Sequence, residues 1–544
     1  MVGSGVGRGR EGGADGHGPV PSMVGRGVSR SGAVRPGMAE THRHYVDGEW
    51  TVGESEETFA SESPATGETL GRFHRGTPAD VERAVAAAEA AESEWRALSR
   101  VQRAEYLWDV FHALKAGVDE FGATVSSECG KEISEGRADV VEAAHMVEWA
   151  AGDARHPKGD IVPSEIPAKD AYMRRKPRGV TGCITPWNFP IAIPYWHMAV
   201  ALVEGNTVVW KPAEQTPLCA NVVAELFEAA GLPDGVFNMV HGFGDAGEAI
   251  VESDDVATVL FTGSAEVGHQ IAQSVAADPG KRAACEMGGK NAIVITERAD
   301  LDIAVHSAVM SSFKTTGQRC VSSERIVVHT DVYEEFKERF VELAEAVSVG
   351  DPLEEDTFMG PLVEADHREK VARYNALARE EGVTVLVDRT DLDDAEIPDG
   401  HEDGHWVGPF VYEADPDEPL RCTHEEVFGP HVALLEYDGD IERAVEIHND
   451  TDYGLAGAIV SEDYRQINYY RDHAEVGLAY ANLPCIGAEV QLPFGGVGKS
   501  GNGYPSAREV IEAVTDRTAW TLNNSRDIEM AQGLSADLRT SSDD

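Results

Sequence analysis

Between residues 178 and 300, short β-branched runs alternate with helix-length stretches, and this rhythm restricts the chain to a small set of folds. Val180–Ile184 is followed by an apolar helix near 193–203, and the run 207–210 by a helix over 216–230. The runs 236–240 and 258–262 come next, then a helix near 265–277 and the strand-like run 291–296. Strand-length runs joined by single helices specify a parallel sheet with crossover connections. A second series begins near 301, with strand-like runs around 325–329, 383–387, 407–413, 431–436 and 456–460. Upstream, residues 80–117 and 134–153 read as helices, with Val81, Ala84, Val85, Ala88, Ala91 and Trp95 at helical spacing. A chain of 544 residues exceeds the size at which one core stops growing, so two or more domains are expected.

Composition excludes several partners. With 95 acidic against 46 basic residues, the formal net charge is -49, which argues against nucleic acid and anionic membranes. Every long apolar run is broken before it reaches the roughly 18 residues a membrane helix needs. The basic residues divide into 34 Arg and 12 Lys. An acid-rich, lysine-poor balance resembles cytoplasmic proteins of salt-loving archaea, in which salt screens self-repulsion; a merely acidic protein is the alternative. Seven scattered cysteines match neither a disulfide framework nor a zinc module, and point to a reducing cytoplasm. Residues 1–37, with 12 Gly and five Arg, are expected to be a disordered or mis-called extension, with Met38 as an alternative start. Residues 388–405 read as an acidic surface loop rather than a metal site, no metal being expected anywhere. Residues 523–544 read as a frayed tail.

Particular residues carry chemistry. Cys320 follows Thr315-Thr316-Gly317 and precedes the strand-like run 324–329. A buried structural cysteine is the common alternative, but Arg319 and a helix N-terminus would favour a thiolate here. Glu286, before Gly288-Gly289, either caps a turn or activates water. Asn188, between Pro186 and Pro190, either sits in a rigid turn packed by Trp187 or donates to an oxyanion. Gly263, Ser264 and Gly268 join a strand to a helix and let backbone approach a pyrophosphate, although a lone GxxxxG spacing is weak evidence. Lys211 and Glu214, three apart, are placed to grip ribose hydroxyls or are solvated charge.

Taken together, these segments closely resemble the aldehyde dehydrogenase superfamily of NAD(P)-dependent enzymes over about 45–520. The motifs stand in the family's order: PWNFP at 186–190, KPAEQTP at 211–217, FTGSAEVG at 261–268, EMGGKN at 286–291, GQRC at 317–320, EEVFGP at 425–430 and PFGGVGKSGNG at 493–503. The resemblance implies an α/β fold with a Rossmann-type dinucleotide domain (45–154 and 178–296), an α/β catalytic domain (297–488) and oligomerisation elements (155–177 and 505–522). It implies Cys320 as nucleophile, Glu286 as general base, and Asn188 as half of an oxyanion hole completed by the Cys320 N–H. Lys211 and Glu214 match adenosine-ribose positions, and Trp187, Gly263, Ser264 and Gly268 the pyrophosphate region. Glu426 and Phe428 match the residues beside the nicotinamide. The cofactor implied is NAD, favoured over NADP because Glu214 would repel a 2'-phosphate. A homodimer or homotetramer is implied, since bridging strands leave exposed edges.

The substrate implied is a small aldehyde, with Phe189, Trp196, Ile486, Phe313 and Lys314 expected around it. The segment 486–494 resembles enzymes acting on semialdehydes, including 2-oxoglutarate semialdehyde, with Lys314 or Arg319 as the cation for its carboxylate. A broad aliphatic or betaine-type enzyme is the alternative. Phosphorylating or CoA-acylating relatives have less need of Glu286, a cysteine esterase would not need both KPAE and EEVF, and a non-catalytic homologue would tolerate loss of Cys320, Glu286 or Asn188.

Overall fold

The computed structural model describes residues 41–393 and 395–530. The expectations for residues 1–37, for Met38 and for positions 531–544 of the tail lie outside the described residues.

Two large sheets place the site. The first has eight strands in the spatial order 501–502, 282–286, 256–262, 180–184, 207–211, 237–239, 44–46 and 49–51. The middle five are parallel, and the strands at both margins are antiparallel. From Val180–Ile184 the chain winds one way through Thr207–Lys211 and Phe237–Met239, then returns to the other side with Val256–Thr262 and Arg282–Glu286. The connections reverse there, so a crevice opens beyond the carboxyl ends of Val180–Ile184 and Val256–Thr262, where α/β sheets bind ligands. Gly501–Asn502 forms one margin by pairing with Cys285 and Glu286. The expected cofactor segments 45–154 and 178–296 do not include it, because the chain returns to this sheet only after completing the second.

The second sheet has seven strands in the order 384–388, 410–414, 431–437, 323–329, 291–295, 456–460 and 478–481. All neighbours are parallel except Thr384–Asp388 against Phe410–Ala414. Its central strands are buried along their length, and helices Leu301–Phe313 and Thr330–Ala346 seal one face through Phe313, Phe336 and Phe340. This is the pattern of a sheet covered on both faces. A third, smaller sheet pairs Lys169–Pro177 with Thr515–Asn523 over nine residue pairs, with Ile161–Val162 beside them. Within 505–522, Val510–Val514 is a helical turn and the strand starts at Thr515.

The helices begin where local chemistry allows. Pro78–Ala97 starts at Thr77, whose N–H donates to Asp80 at 2.9 Å, and Arg100–Ala116 starts at Ser99, paired reciprocally with Gln102. Both are capping boxes, which satisfy otherwise orphaned N–H groups. Helix Val118–Cys129 was not anticipated from periodicity. It runs from Gly117 to Gly130, whose φ of 79° ends it, and packs on Ile133–Asp153.

Candidate active site

Cys320 sits at the end of a turn between Leu301–Phe313 and Ser323–His329. Three successive residues, Thr315 (φ 55°), Thr316 (φ 57°) and Gly317 (φ 70°), adopt left-handed backbone. Only glycine does this freely, so the surroundings hold the threonines there. Thr316 Oγ1 donates to the Gly360 carbonyl at 2.8 Å, Arg319 Nε donates to Thr315 Oγ1 at 3.1 Å, and the Val363 N–H donates to Gln318 Oε1 at 3.0 Å. A side chain at Gly317 would place its Cβ 2.3 Å from the Gly429 carbonyl oxygen. Asn291 Nδ2 donates to the Cys320 carbonyl at 2.7 Å and so fixes the nucleophile's own backbone.

Burial raises the Cys320 thiol well above its usual range, Glu286 and Glu426 add to this, and Arg319 opposes it. Arg319 thus favours the thiolate, in the expected direction, but burial outweighs it. Its guanidinium forms an ion pair with Glu135 and lies over the Phe189 ring at 5.2 Å, so its charge is already engaged.

Glu286 ends the strand Arg282–Glu286 and is 1 % exposed. Neither carboxylate oxygen has a hydrogen-bond partner of normal geometry among the described residues. Burial raises its proton affinity well above the ordinary carboxylate, with only a small opposing effect of the Gly496 N–H. Such a group accepts a proton from water or thiol more readily than a solvated glutamate. Asn188 Nδ2 donates to the Gln318 carbonyl at 3.1 Å, two residues from Cys320. One amide hydrogen is thus engaged and a second is left to donate. Asn188 does not itself line the chamber at Cys320. The buried Lys131 holds it from behind: Nζ donates to the Asn188 carbonyl and to Asp139, both at 2.8 Å, and stands 3.9 Å from the centre of the Phe189 ring.

Two cavities that share lining residues lie beside the thiol, and Cys320 lines the smaller. A chamber of about 50 Å³ is lined by Cys320, Glu286, Trp196, Ile193, Phe494 and Thr262 among others. An outer vestibule of about 740 Å³ is lined by Trp149, Met310, Ile486, Glu135, Glu148 and Glu489 among others. Glu142, Phe189, Arg319, Gly487 and Ala488 line both and form the junction. Of the expected walls, Phe189, Trp196 and Ile486 are present. Phe313 is not, being fully buried in the core of the second sheet. Nor is Lys314, which donates to Glu132 at 2.7 Å and lies over Phe358. Glu142 had no sequence signal, since a glutamate on a helix reads as a solvated face.

A cleft of about 550 Å³ lies at the reversal point of the first sheet. Trp187, Lys211, Glu214, Gly263 and Ser264 line it, together with Glu248 and Glu252. Ser264 caps helix Ala265–Ala276, so a helix N-terminus faces the cleft, an arrangement suited to a pyrophosphate. Lys211 and Glu214 are bound to each other at 2.7 Å, which the sequence did not suggest. Gly268 does not line the cleft: a Cβ there would meet Met287 at 2.4 Å, so this glycine serves close packing of helix on sheet. Glu426 and Phe428 also stand apart from the lining, and Phe428 meets the ring of Trp187, which does line it, edge-on at 5.7 Å. Their loop is held by Glu324, which accepts the N–H groups of Val427 and Phe428 and pairs with the buried Lys290. Glu426 accepts the Gly289 N–H at 2.9 Å, and burial raises its pKa to about 7. Thr262 lines both cleft and chamber, and its Oγ1 is 2.9 Å from His197 Nε2. Among the described residues no three His, Cys, Asp or Glu side chains group to hold a metal, and no helix is long and apolar enough to cross a membrane.

Comparisons with known proteins agree with this geometry. The family model described as "Aldehyde dehydrogenase family" matches residues 50–519. An alpha-ketoglutaric semialdehyde dehydrogenase of Bacillus subtilis is 36 % identical over 481 residues, 88 % of this chain and 96 % of that protein. An alpha-ketoglutarate semialdehyde dehydrogenase of Haloferax volcanii is 36 % identical over 467 residues, covering 85 % and 95 %. Among solved structures, betaine aldehyde dehydrogenase from Staphylococcus aureus in complex with NAD+ superposes with a TM-score of 0.84 at 30 % identity, covering 90 % of this chain and 95 % of that one.

Proposed function

The chain belongs to the aldehyde dehydrogenase family, NAD(P)-dependent oxidoreductases that work through a cysteine thiol, and we propose that it oxidises 2-oxoglutarate semialdehyde, or a close semialdehyde, to the carboxylic acid. Arg319 carries this reading. The small chamber has room for little beyond the reacting aldehyde group, so the far end of a substrate lies at the junction, where Arg319 stands. Its guanidinium pairs with Glu135 through Nη2 and donates to Thr315 through Nε, and its remaining N–H groups suit a carboxylate; two relatives at 36 % identity bear this activity in their names.

The cleft fits a dinucleotide. Lys211 and Glu214 would hold the adenosine ribose, Gly263, Ser264 and Trp187 the pyrophosphate, and Glu426 and Phe428 the nicotinamide end. Glu214, Glu248 and Glu252 line it, and their charge disfavours a 2'-phosphate, which supports NAD, the cofactor of the Staphylococcus aureus structure. NAD, when bound, supplies the hydride acceptor. The chain's own residues do the rest. Cys320 Sγ, its proton passing to Glu286 or water, bonds to the aldehyde carbon. Asn188 Nδ2 and the Cys320 N–H donate to the resulting oxyanion. Cys320 then holds the acyl group as a thioester; Glu286 takes a proton from water, whose oxygen bonds to the acyl carbon as the C–S bond breaks. The acid leaves and the thiol is restored.

This reading assigns 45–154 and 178–296 to cofactor binding, 297–488 to catalysis, and 155–177 with 505–522 to assembly as a homodimer or homotetramer. The exposed Ile161, Trp520 and Leu522 on the third sheet support the last. The acidic balance supports a salt-rich cytoplasm.

A second reading is a betaine-type aldehyde, favoured by Glu135, Glu148 and Glu489 around the vestibule with Trp149 among them. A high-salt assay of NADH absorbance separates the two. The highest kcat/KM is expected with 2-oxoglutarate semialdehyde, ahead of succinic and glutaric semialdehydes, betaine aldehyde and short aliphatic aldehydes. Betaine aldehyde in first place would overturn the semialdehyde reading. No NADH with any aldehyde from folded protein would overturn both.

A further inference from the structure

We propose that Glu142 is the residue that sets charge selectivity at this site, through direct contact between its carboxyl group and the far end of the substrate. The inference deepens the reading above and rests on it for the identity of the anion. Glu142 lines both the chamber at Cys320 and the vestibule, as Arg319 does. Arg319 is already paired with Glu135. Glu142 has no hydrogen-bond or ion-pair partner among the described residues. Its own helix, Ile133–Asp153, adds Glu135, Asp139, His145 and Glu148 around it. The cations on neighbouring segments are Lys131, engaged with Asp139 and the Asn188 carbonyl, and Arg319. Cys320 and Glu286 face the same chamber, Glu489 faces the vestibule, and the Tyr480 hydroxyl lies within electrostatic reach of Glu142. An unpaired carboxyl in acidic company is driven toward its neutral form. Burial first, and Asp139 second, raise its pKa to about 8, with Lys131 opposing.

The consequence is a junction that changes character with pH. In its neutral form the Glu142 O–H donates to a substrate carboxylate beside the Arg319 guanidinium. In its ionised form it repels the same carboxylate and attracts a cation. A carboxyl titrating near 8 is roughly nine-tenths neutral at about pH 7 and about one-tenth neutral at about pH 9.

The test is the ratio of kcat/KM for glutaric semialdehyde to that for pentanal, an uncharged aldehyde of similar length. It is measured at about pH 7 and about pH 9 in wild type and in Glu142→Gln. Cys320 and Glu286 act on both aldehydes, so their titration cancels in the ratio. In wild type the ratio falls about tenfold over this interval, and for betaine aldehyde against pentanal it rises. In Glu142→Gln both ratios stay level. Should that variant not fold, Glu142→Met serves in the same comparison. A level ratio in wild type, or an equal slope in the variants, overturns the role of Glu142. The ranking of semialdehydes at about pH 7 tests the substrate reading separately, because the slope does not depend on which aldehyde is preferred.

Discussion

Glu286 shows what a buried carboxyl without a partner costs a fold. Its carboxylate is buried without a normal hydrogen bond, which is unfavourable for any ionised group. Its folded-state pKa is raised above the ordinary 4.5. The stability of the folded state is therefore full below the unfolded pKa and is lost as pH rises through the folded one. Glu286→Gln removes that ionisation. We expect its Tm to exceed wild type by about 2 °C or more near pH 8, with the gap closing toward about pH 5, as followed by thermal denaturation across pH. Turnover of the same variant should fall roughly 100-fold or more, while a first-turnover burst of NADH persists in stopped flow. Loss of the burst would contradict the hydrolytic role. Cys320 and Glu286, singled out in the sequence by their side-chain chemistry and the motifs around them, line one chamber in the structure. The direction of the Cys320 pKa was not legible in the sequence, because Arg319 points its charge at Glu135, 184 residues away, and desolvation prevails.

At the scale of elements, the nucleophile turn is the most constrained piece. Gly317 combines a φ of 70° with an approach to Gly429 that leaves no room for a Cβ. Gly317→Ala should destabilise by about 2–3 kcal/mol and lower kcat at least about tenfold, since Cys320 follows three residues later and the 425–430 loop would shift. Chemical denaturation and steady-state kinetics measure both. An unchanged Tm with an unchanged kcat would show that the contact is not made. Most elements were readable from periodicity: helix Ala192–Glu204 was expected near 193–203, and Ala265–Ala276 near 265–277. Helix Val118–Cys129 was not, since it is set by glycines at both ends and by packing on Ile133–Asp153. The residues proposed to hold the ribose and nicotinamide stand in motifs. The Lys211–Glu214 pair, the packing duty of Gly268 and the Lys290–Glu324 anchor under Phe428 are matters of mutual placement that no spacing encodes.

At the scale of the molecule, the third sheet presents Tyr172 stacked on Trp520 at 6.3 Å, with Trp520 41 % and Leu522 49 % exposed. An exposed apolar edge strand invites pairing with a second copy. Trp520→Asp is expected to reduce the assembled fraction, read as a lower mass by light scattering at high salt, with the helical and sheet content of the monomer kept. An unchanged mass would overturn this edge as a contact between copies. The amino-acid sequence by itself determined the parallel α/β class and the acidic net charge, and singled out Cys320, Glu286 and Asn188 as candidates, because periodicity, net charge and side-chain chemistry are local or additive properties. Only the tertiary structure decided that Glu142 and Arg319 line both the chamber and the vestibule, that Lys314 and Phe313 line neither, and that Asn188 donates to the Gln318 carbonyl two residues from Cys320. Those outcomes depend on which distant segments the sheets bring together, and burial then sets the charge that each group carries.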